Sequence, residues 1–574
     1  MKKAGIILLI LLLLAGGIYL YLRFHVLKAK DYSPQTAIAR SPLDLRPALV
    51  AKLQQLVLDG SNGLYRLTLE NIEPDLSNAS VDLLNAGISA DSTRLQELER
   101  LQQAPDEVYR ISFRQLHIEG LGLAELLDQK KIDLERITVS YPRLTVYRKL
   151  HSYNAAKRKA QDSLTLYDRL TKHIEHFSVK EIRLDHGTYI SIHPTDKNKN
   201  EKFEELRARL QDILIDTSTR RDNTRFLFAR DAVVECGRLE RHTGDGLYTL
   251  KTDGLTLNAA SHQITAKNTA LLPRGDRAFF QARQKYRGDR FNITVPKIVL
   301  RKIRWAALFN EGKLECGSAD LYNGNLSDFV NDAALARPVE RKNNFPYQLF
   351  RELKTSIIIP QVNFHGFNIV YTEFYPPSGR EGTLRFNDIS ARITNLINDP
   401  AHIRPGMWCR FFSTGVFLNS IPIRVQFAFD MNSRNGRFTA DLHSSGTEGT
   451  AINQVTEPLA LFQVKNGVLD ALDTHVEGDN NTASARMTML YHGLHVTPLK
   501  KDKGEEGQLK KRKLLGLIAN VLAIKNNNPE NNETRIPEVS VNRDNSNSFF
   551  NFGWRAIRLA VFKTVGIPEK FAPN

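Results

Sequence analysis

The sequence predicts a mainly β protein with short helices, in which an N-terminal transmembrane helix precedes a long antiparallel body. Three observations predict it. An uninterrupted apolar run, Ile6 to Leu22, follows Lys2 and Lys3. Stretches of alternating apolar and polar residues, the period of a half-buried strand, then recur over most of the chain. Helical periodicity is confined to a few short stretches, too few to cover every apolar strand face.

The apolar run has 17 residues. At helical rise it spans roughly 26 Å, just enough to cross the hydrocarbon core of a bilayer. A cleaved secretory signal has an apolar core of about 7 to 15 residues and a small-x-small cleavage site. Here Tyr19, Tyr21, Arg23, Phe24 and His25 form an aromatic and basic border suited to headgroups. Residues 1–30 therefore read as a retained signal anchor and its flank. Lys2 and Lys3 on one side face Arg23, Lys28 and Lys30 on the other, so charge leaves the orientation open.

At 574 residues the chain exceeds what one core supports. A net charge of +16 and a pI near 9.5 suit anionic lipid headgroups. Nucleic acid is not expected, because the charge is spread along strands and its one dense block, Lys500 to Lys513, reads as a linker. Cys236, Cys316 and Cys409 are too few and too far apart for a disulfide scaffold or a zinc site.

After the anchor, Pro34, Pro42 and Pro47 mark an extended linker into a short helix around Leu53, Leu56 and Val57. Tyr109 to Ile118 then alternates over nearly its whole length. The clearest strand places Ile423, Val425, Phe427, Phe429 and Met431 on one face, with Arg424, Gln426, Ala428 and Asp430 on the other. Phe438 to Leu442 and Met487, Met489 and Tyr491 repeat the habit, and Asn435-Gly436 supplies a hairpin turn. Short helices are expected over Leu95–Leu101, Leu121–Leu127, Ser163–His176, Phe203–Leu210 and Leu514–Ile524. The resulting division is 31–215 and 216–345 as two β-rich units, 346–500 as an antiparallel sheet, and 501–574 as a charged and Asn-rich linker with a terminal helix.

Laying Tyr109–Leu144 over Phe291–Leu326 at a constant offset of 182 superposes strand, short Leu-rich helical turn, basic residue and strand. An internal repeat and an elongated body follow from it, although any two strand-helix-strand units align to a similar degree.

The stretch Phe549 to Phe562 is aromatic, apolar and basic, with Phe549, Phe550, Phe552, Trp554, Arg555 and Arg558 suited to an interfacial helix in the headgroup plane. A helix docked on the end of the sheet fits the same pattern. Catalytic chemistry is not indicated. His173 and His176 are spaced i and i+3 rather than in a His-Glu-x-x-His frame, and Gly120-Leu-Gly122 lacks the third glycine of a dinucleotide loop, with Glu125 in its place. No enzyme activity, cofactor or metal is expected.

Two segments carry a family resemblance. Leu116 to Leu127, followed by Ile132 to Val146, resembles the AsmA-like family of bacterial envelope proteins, in which a strand, a G-x-x-L-x-x-L-L turn and a second strand leading to a proline recur. Gly120, Leu123, Leu126, Leu127 and Pro142 match that pattern, and Gly467 to Val496 is similar to the closing sheet of such proteins. The likeness covers residues 1 to about 500, and Thr217 to Phe280 departs from it. It implies a single-pass anchor in the inner membrane, a periplasmic body and a curved, groove-like or partly open sheet sheltering phospholipid acyl chains. The expected function is phospholipid transport or outer-membrane biogenesis, with Val425, Phe427, Phe429, Met487 and Met489 as groove candidates; the same residues could instead form an ordinary sandwich core. The alternative function is an envelope assembly or scaffold factor that binds outer-membrane or other envelope proteins through strand edges without carrying lipid.

Overall fold

A computed structural model describes residues 46–75, 77–120, 131–156, 176–222, 224–284, 286–335, 345–501, 509–511, 524–544 and 549–567. The expected anchor, the helix expected over Leu121–Leu127, and residues 514–523 of the helix expected over Leu514–Ile524 lie outside the described residues. Among the described residues the protein is mainly β, with 57% strand and 18% helix. It divides into two compact units, Met1–Asn268 with Arg301–Lys313, and Thr269–Leu300 with Leu314–Asn574.

In the first unit, helix α1 (Arg46–Gly60) leads into β1 (Tyr65–Thr68), β2 (Asn71–Asp75) and β3 (Ser80–Ala90), with both short strands paired antiparallel to β3. Helix α2 (Ser92–Arg100) connects to β4 (Glu107–Glu119), which pairs with β3 on one edge. On its other edge β4 pairs with β5 (Lys131–Ser140) and then β6 (Arg143–Arg148). The break between them falls at Tyr141, in a left-handed conformation, and Pro142, which has no N–H to offer a ladder. Both short strands run parallel to β7 (His176–Ile192), and β8 (Glu201–Ile215), β9 (Asp231–His242), β10 (Tyr248–Thr252), β11 (Gly254–Asn258) and β12 (Gln263–Pro273) continue antiparallel. The core gathers the inward members of the alternation, among them Leu116, Ile118, Ile137, Val139, Phe177 and Ile182. Trp305 is buried edge-on to Phe226 and donates to the Ala259 carbonyl, which ties Arg301–Lys313 into this unit.

In the second unit, α3 (Arg277–Arg283) precedes β13 (Asp289–Arg301), which pairs antiparallel with β16 (Asn325–Asn331). Strands β14 (Leu314–Glu315), β15 (Ser318–Tyr322) and β16 all run parallel to β17 (Ile357–Tyr375), which follows α4 (Pro346–Arg351). An antiparallel meander continues through β18 (Arg380–Ile397), β19 (Trp408–Phe417), β20 (Ile421–Asp430), β21 (Phe438–Glu448), β22 (Phe462–Gly478) and β23 (Thr482–Lys501). Helix α5 (Asn453–Ala460) interrupts it, β24 (Leu509–Lys511) and β25 (Glu538–Asn542) pair with β23, and α6 (Phe549–Val565) closes the described chain.

The internal repeat is visible in the backbone. Strand β4 superposes on β13 at an offset of 182, and the ladder that matches Glu107 with Arg148 matches Asp289 with Val330 at the same offset. Left-handed residues recur with the strands: Gly120 and Lys302 after the first, Tyr141 and Asn323 between the short ones, His186 and Gly366 in the long parallel strand, Glu205 and Asp388 in the next. Asp216 and Asp399 each cap a short 3₁₀ turn at the end of the repeat.

Two expectations are corrected. The sheets are mixed rather than antiparallel throughout, because a crossover carries the chain from β6 to β7 and from β16 to β17 and returns it parallel. Phe203–Leu210 belongs to strand β8 rather than a helix. A bulge with Glu205 in the left-handed region puts Phe203 and Leu206 on one face, so a strand imitates helical spacing. His176 begins β7, and the remainder of the helix expected there lies outside the described residues.

Candidate acyl-chain site

Along β20 the alternation works as expected: Ile421 is buried, Ile423, Val425, Phe427 and Phe429 are half-buried, and Pro422, Arg424 and Gln426 are exposed. Ladder register continues the apolar face sideways. Phe427 lies between Phe411 and Ala440, and Phe429 between Cys409 and Phe438.

The C-terminal helix packs onto this face. Phe549, Phe552, Ala556, Ala560 and Val565 are buried with Met487, Met489, Val476 and Phe438 in one cluster, against which Phe427 and Phe429 pack. The spacing of Phe549, Phe552, Ala556 and Ala560 is that of one helix stripe, and the two alanines, at 0% exposure, let the backbone approach the sheet closely. Phe549 meets Phe438 edge-on with centroids 5.0 Å apart. Arg535 secures the far end of the helix, its Nε donating to the Thr564 carbonyl at 2.9 Å, which satisfies one of the acceptors a helix leaves open at its C-terminus.

Of the residues singled out from sequence, Phe427, Phe429, Met487, Met489, Phe549 and Phe552 come together. Phe550 and Trp554 project outward, 65% and 49% exposed, with the Phe550 ring edge-on to Phe427. Arg555 and Arg558 are half-buried. Helix α5 covers the other end of the stripe, where Val455 and Leu459 pack with Leu418, Ile421, Ile423 and Leu384. Val425 falls between these two clusters and belongs to neither.

Sequence reading missed a polar inclusion on β16 and β17. Asp328 is cross-strand from Tyr371, and Tyr371 donates to Glu373 Oε2 at 2.8 Å. Burial, helped by the field of Asp289, pushes the Asp328 carboxyl up to about 7, and its Oδ1 has no hydrogen-bond partner. Burial likewise raises Glu373 and lowers Arg558 of α6, the latter opposed by the fields of Tyr375 and Glu373. The signal was present: Leu326, Asp328 and Val330 alternate onto one face, so a carboxylate interrupts an apolar stripe.

The three cysteines are buried, and burial pushes the Cys409 thiol up to about 12. Among the described residues no group of three or more His, Cys, Asp or Glu is arranged to hold a metal ion, and no helix is long and apolar enough to cross a membrane. No protein-family model matches the chain, and no curated protein matches it.

Proposed function

We propose that the protein is a membrane-anchored periplasmic protein of AsmA type that binds phospholipid acyl chains on the apolar face of β19–β23 and takes part in phospholipid transport or outer-membrane biogenesis. One observation carries the reading. The apolar face is covered by three separate helices, α4, α5 and α6, rather than by a second sheet, and Val425, Phe427 and Phe429 stay half-exposed between and beside them. Acyl chains need no directed chemistry to bind such a face, since each buried CH₂ contributes roughly 0.8 kcal/mol. The exposed aromatics Phe550 and Trp554 on α6 suit contact with a bilayer interface.

A benzophenone amino acid placed in the full chain, in its native membrane, tests this. At Val425 it is expected to crosslink phospholipid detectable by mass spectrometry. At Arg410, exposed on the opposite face of β19, it is expected to crosslink none. Crosslinks to envelope proteins alone at Val425 would replace the lipid reading with an assembly role.

A further inference from the structure

The solvent-facing side of the same strands, built from the residues that alternate with the apolar stripe, carries a second arrangement. In one row across β20, β21 and β22 stand Arg424, His443 and Asp473, and in the next row, across β21, β22 and β23, stand Asp441, His475 and Arg486. His443 Nδ1 lies 2.6 Å from Asp473 Oδ1, and His475 Nδ1 lies 2.7 Å from Asp441 Oδ1. The two pairs run in opposite directions across the same two strands, and an arginine stands at the histidine end of each row. Together they line a shallow pocket of about 250 Å³.

Cross-strand pairing of opposite charges stabilises sheets and accounts for the His–Asp contacts by itself. It does not account for Arg424. That guanidinium is exposed and has no ion-pair partner among the described residues, and neither do Arg392 and Arg410 on the adjoining strands. The same His–Asp contacts fix the orientation of the rings. With each Nδ1 engaged by a carboxylate, each Nε2 is left for a ligand, and in the doubly protonated imidazole that atom is a donor.

We infer that this pocket binds a phosphate group, free or carried on a larger molecule. Arg424 supplies the planar fork that matches two phosphate oxygens, and His443 and His475 supply Nε2–H donors. Arg486, whose Nε lies 3.6 Å from Glu538, adds charge at the opposite edge. Asp441 and Asp473 hold the rings from the Nδ1 side; both also line the pocket, so the two arginines and the imidazoles must outweigh their charge. The site is independent of the acyl-chain reading, because it occupies the other face of the sheet.

Equilibrium dialysis of the full chain in detergent micelles against radiolabelled inorganic phosphate tests the inference. One saturable site per chain is expected, weakened about tenfold or more by Arg424→Gln and by the double variant His443→Gln/His475→Gln. Arg410→Gln, outside the pocket, should leave it within about twofold. All replaced side chains are exposed or half-exposed, and circular dichroism confirms that each variant is folded. Absence of saturable binding, or an equal loss with Arg410→Gln, overturns the site. Competition then separates the sources. Displacement of labelled phosphate by phosphatidate nanodiscs assigns a lipid headgroup, displacement by glycerol phosphate alone assigns a soluble phosphate ester, and displacement by neither assigns free inorganic phosphate.

Discussion

Strands β4 to β8 in the first unit and β13 to β18 in the second repeat the same ladder registers and the same left-handed positions, yet they enclose different interiors. In the first, Leu144, Val146 and Tyr189 form a small cluster supported by Phe203 and Leu206, and a buried glutamate is held by arginines. In the second, the meander runs on through five further long strands, and its apolar face ends under helices α4, α5 and α6. A backbone frame can thus be retained while the side chains on it diverge. Register and left-handed turns depend on local hydrogen bonding, whereas the use of a face depends on what is laid across it. The proposed acyl-chain function rests on the extension, not on the frame.

The sharpest way to break that distinction is to strip the helix from the second unit. Phe552 is 1% exposed at the centre of the cluster under α6. Phe552→Ala should cost about 3 to 5 kcal/mol, the range for deleting a buried ring. Hydrogen–deuterium exchange should report faster uptake in β22, β23 and β25, with β4 to β8 unchanged. Uniform acceleration through both units would show that the interiors are not energetically separate.

Next in size are two buried acids whose pH behaviour has opposite sign. Burial pushes Glu181 of β7 up, but hydrogen bonds from Arg183, Arg209 and Arg136 outweigh it and hold the carboxyl at about 2. A depressed acid contributes stability that is present above its unfolded value, near 4.3, and lost as pH falls toward about 2. Asp328 of β16 is raised to about 7. The folded state therefore binds the extra proton, and the contribution present below about pH 4 is lost as pH rises through about 7. Asp328→Asn should raise stability at neutral pH by roughly 2 kcal/mol and remove that slope, whereas Glu181→Gln should lower stability at neutral pH and flatten the acid limb. Denaturant midpoints between pH 3 and 8 check both, and slopes of the same sign in the two variants would defeat the contrast.

The frame was largely legible from sequence because strand alternation and strand length survive side-chain divergence. The offset between Tyr109 and Phe291 matches the register found in the ladders. The Phe203–Leu210 stretch was misread because the bulge at Glu205 gives apolar residues a three-residue spacing, and its Glu, Arg, Leu and Ala content favours helix. The site was legible only in outline. The stripe from Ile423 to Met431 announces an apolar face, but an amphipathic helix such as Phe549–Val565 carries the same pattern whether a sheet or a bilayer receives it. The pairing of His443 with Asp473 and of His475 with Asp441 had no signal in one dimension, because those residues meet only through the register of β21 on β22.

An effect of similar size sharpens the likeness rather than the difference. Gly120 has φ of 87° and Lys302, its counterpart, 57°. A Cβ on Gly120 would sit 2.5 Å from the Glu135 nitrogen, so Gly120→Ala meets both strain and a backbone clash and should cost about 2 kcal/mol or more. Lys302→Gly relieves the same strain in the second repeat and should stabilise by about 1 kcal/mol. Opposite signs in urea unfolding support an equivalent left-handed position, and destabilisation by Lys302→Gly would separate the two.

The smallest expected effects lie at the caps that close each repeat. Asp216 accepts hydrogen bonds from the Ser218 and Thr219 nitrogens, and Asp399 accepts from the Ala401 nitrogen. Replacing either with alanine should cost about 1 kcal/mol, the usual value of such a cap. Each carboxylate also accepts a serine hydroxyl, Asp216 from Ser218 at 2.6 Å and Asp399 from Ser356 at 2.8 Å, so the two replacements should cost similar amounts, which is the outcome a shared frame requires. Urea unfolding of the two variants checks it, and a difference beyond about 0.5 kcal/mol would mean that one turn is held by contacts the other lacks.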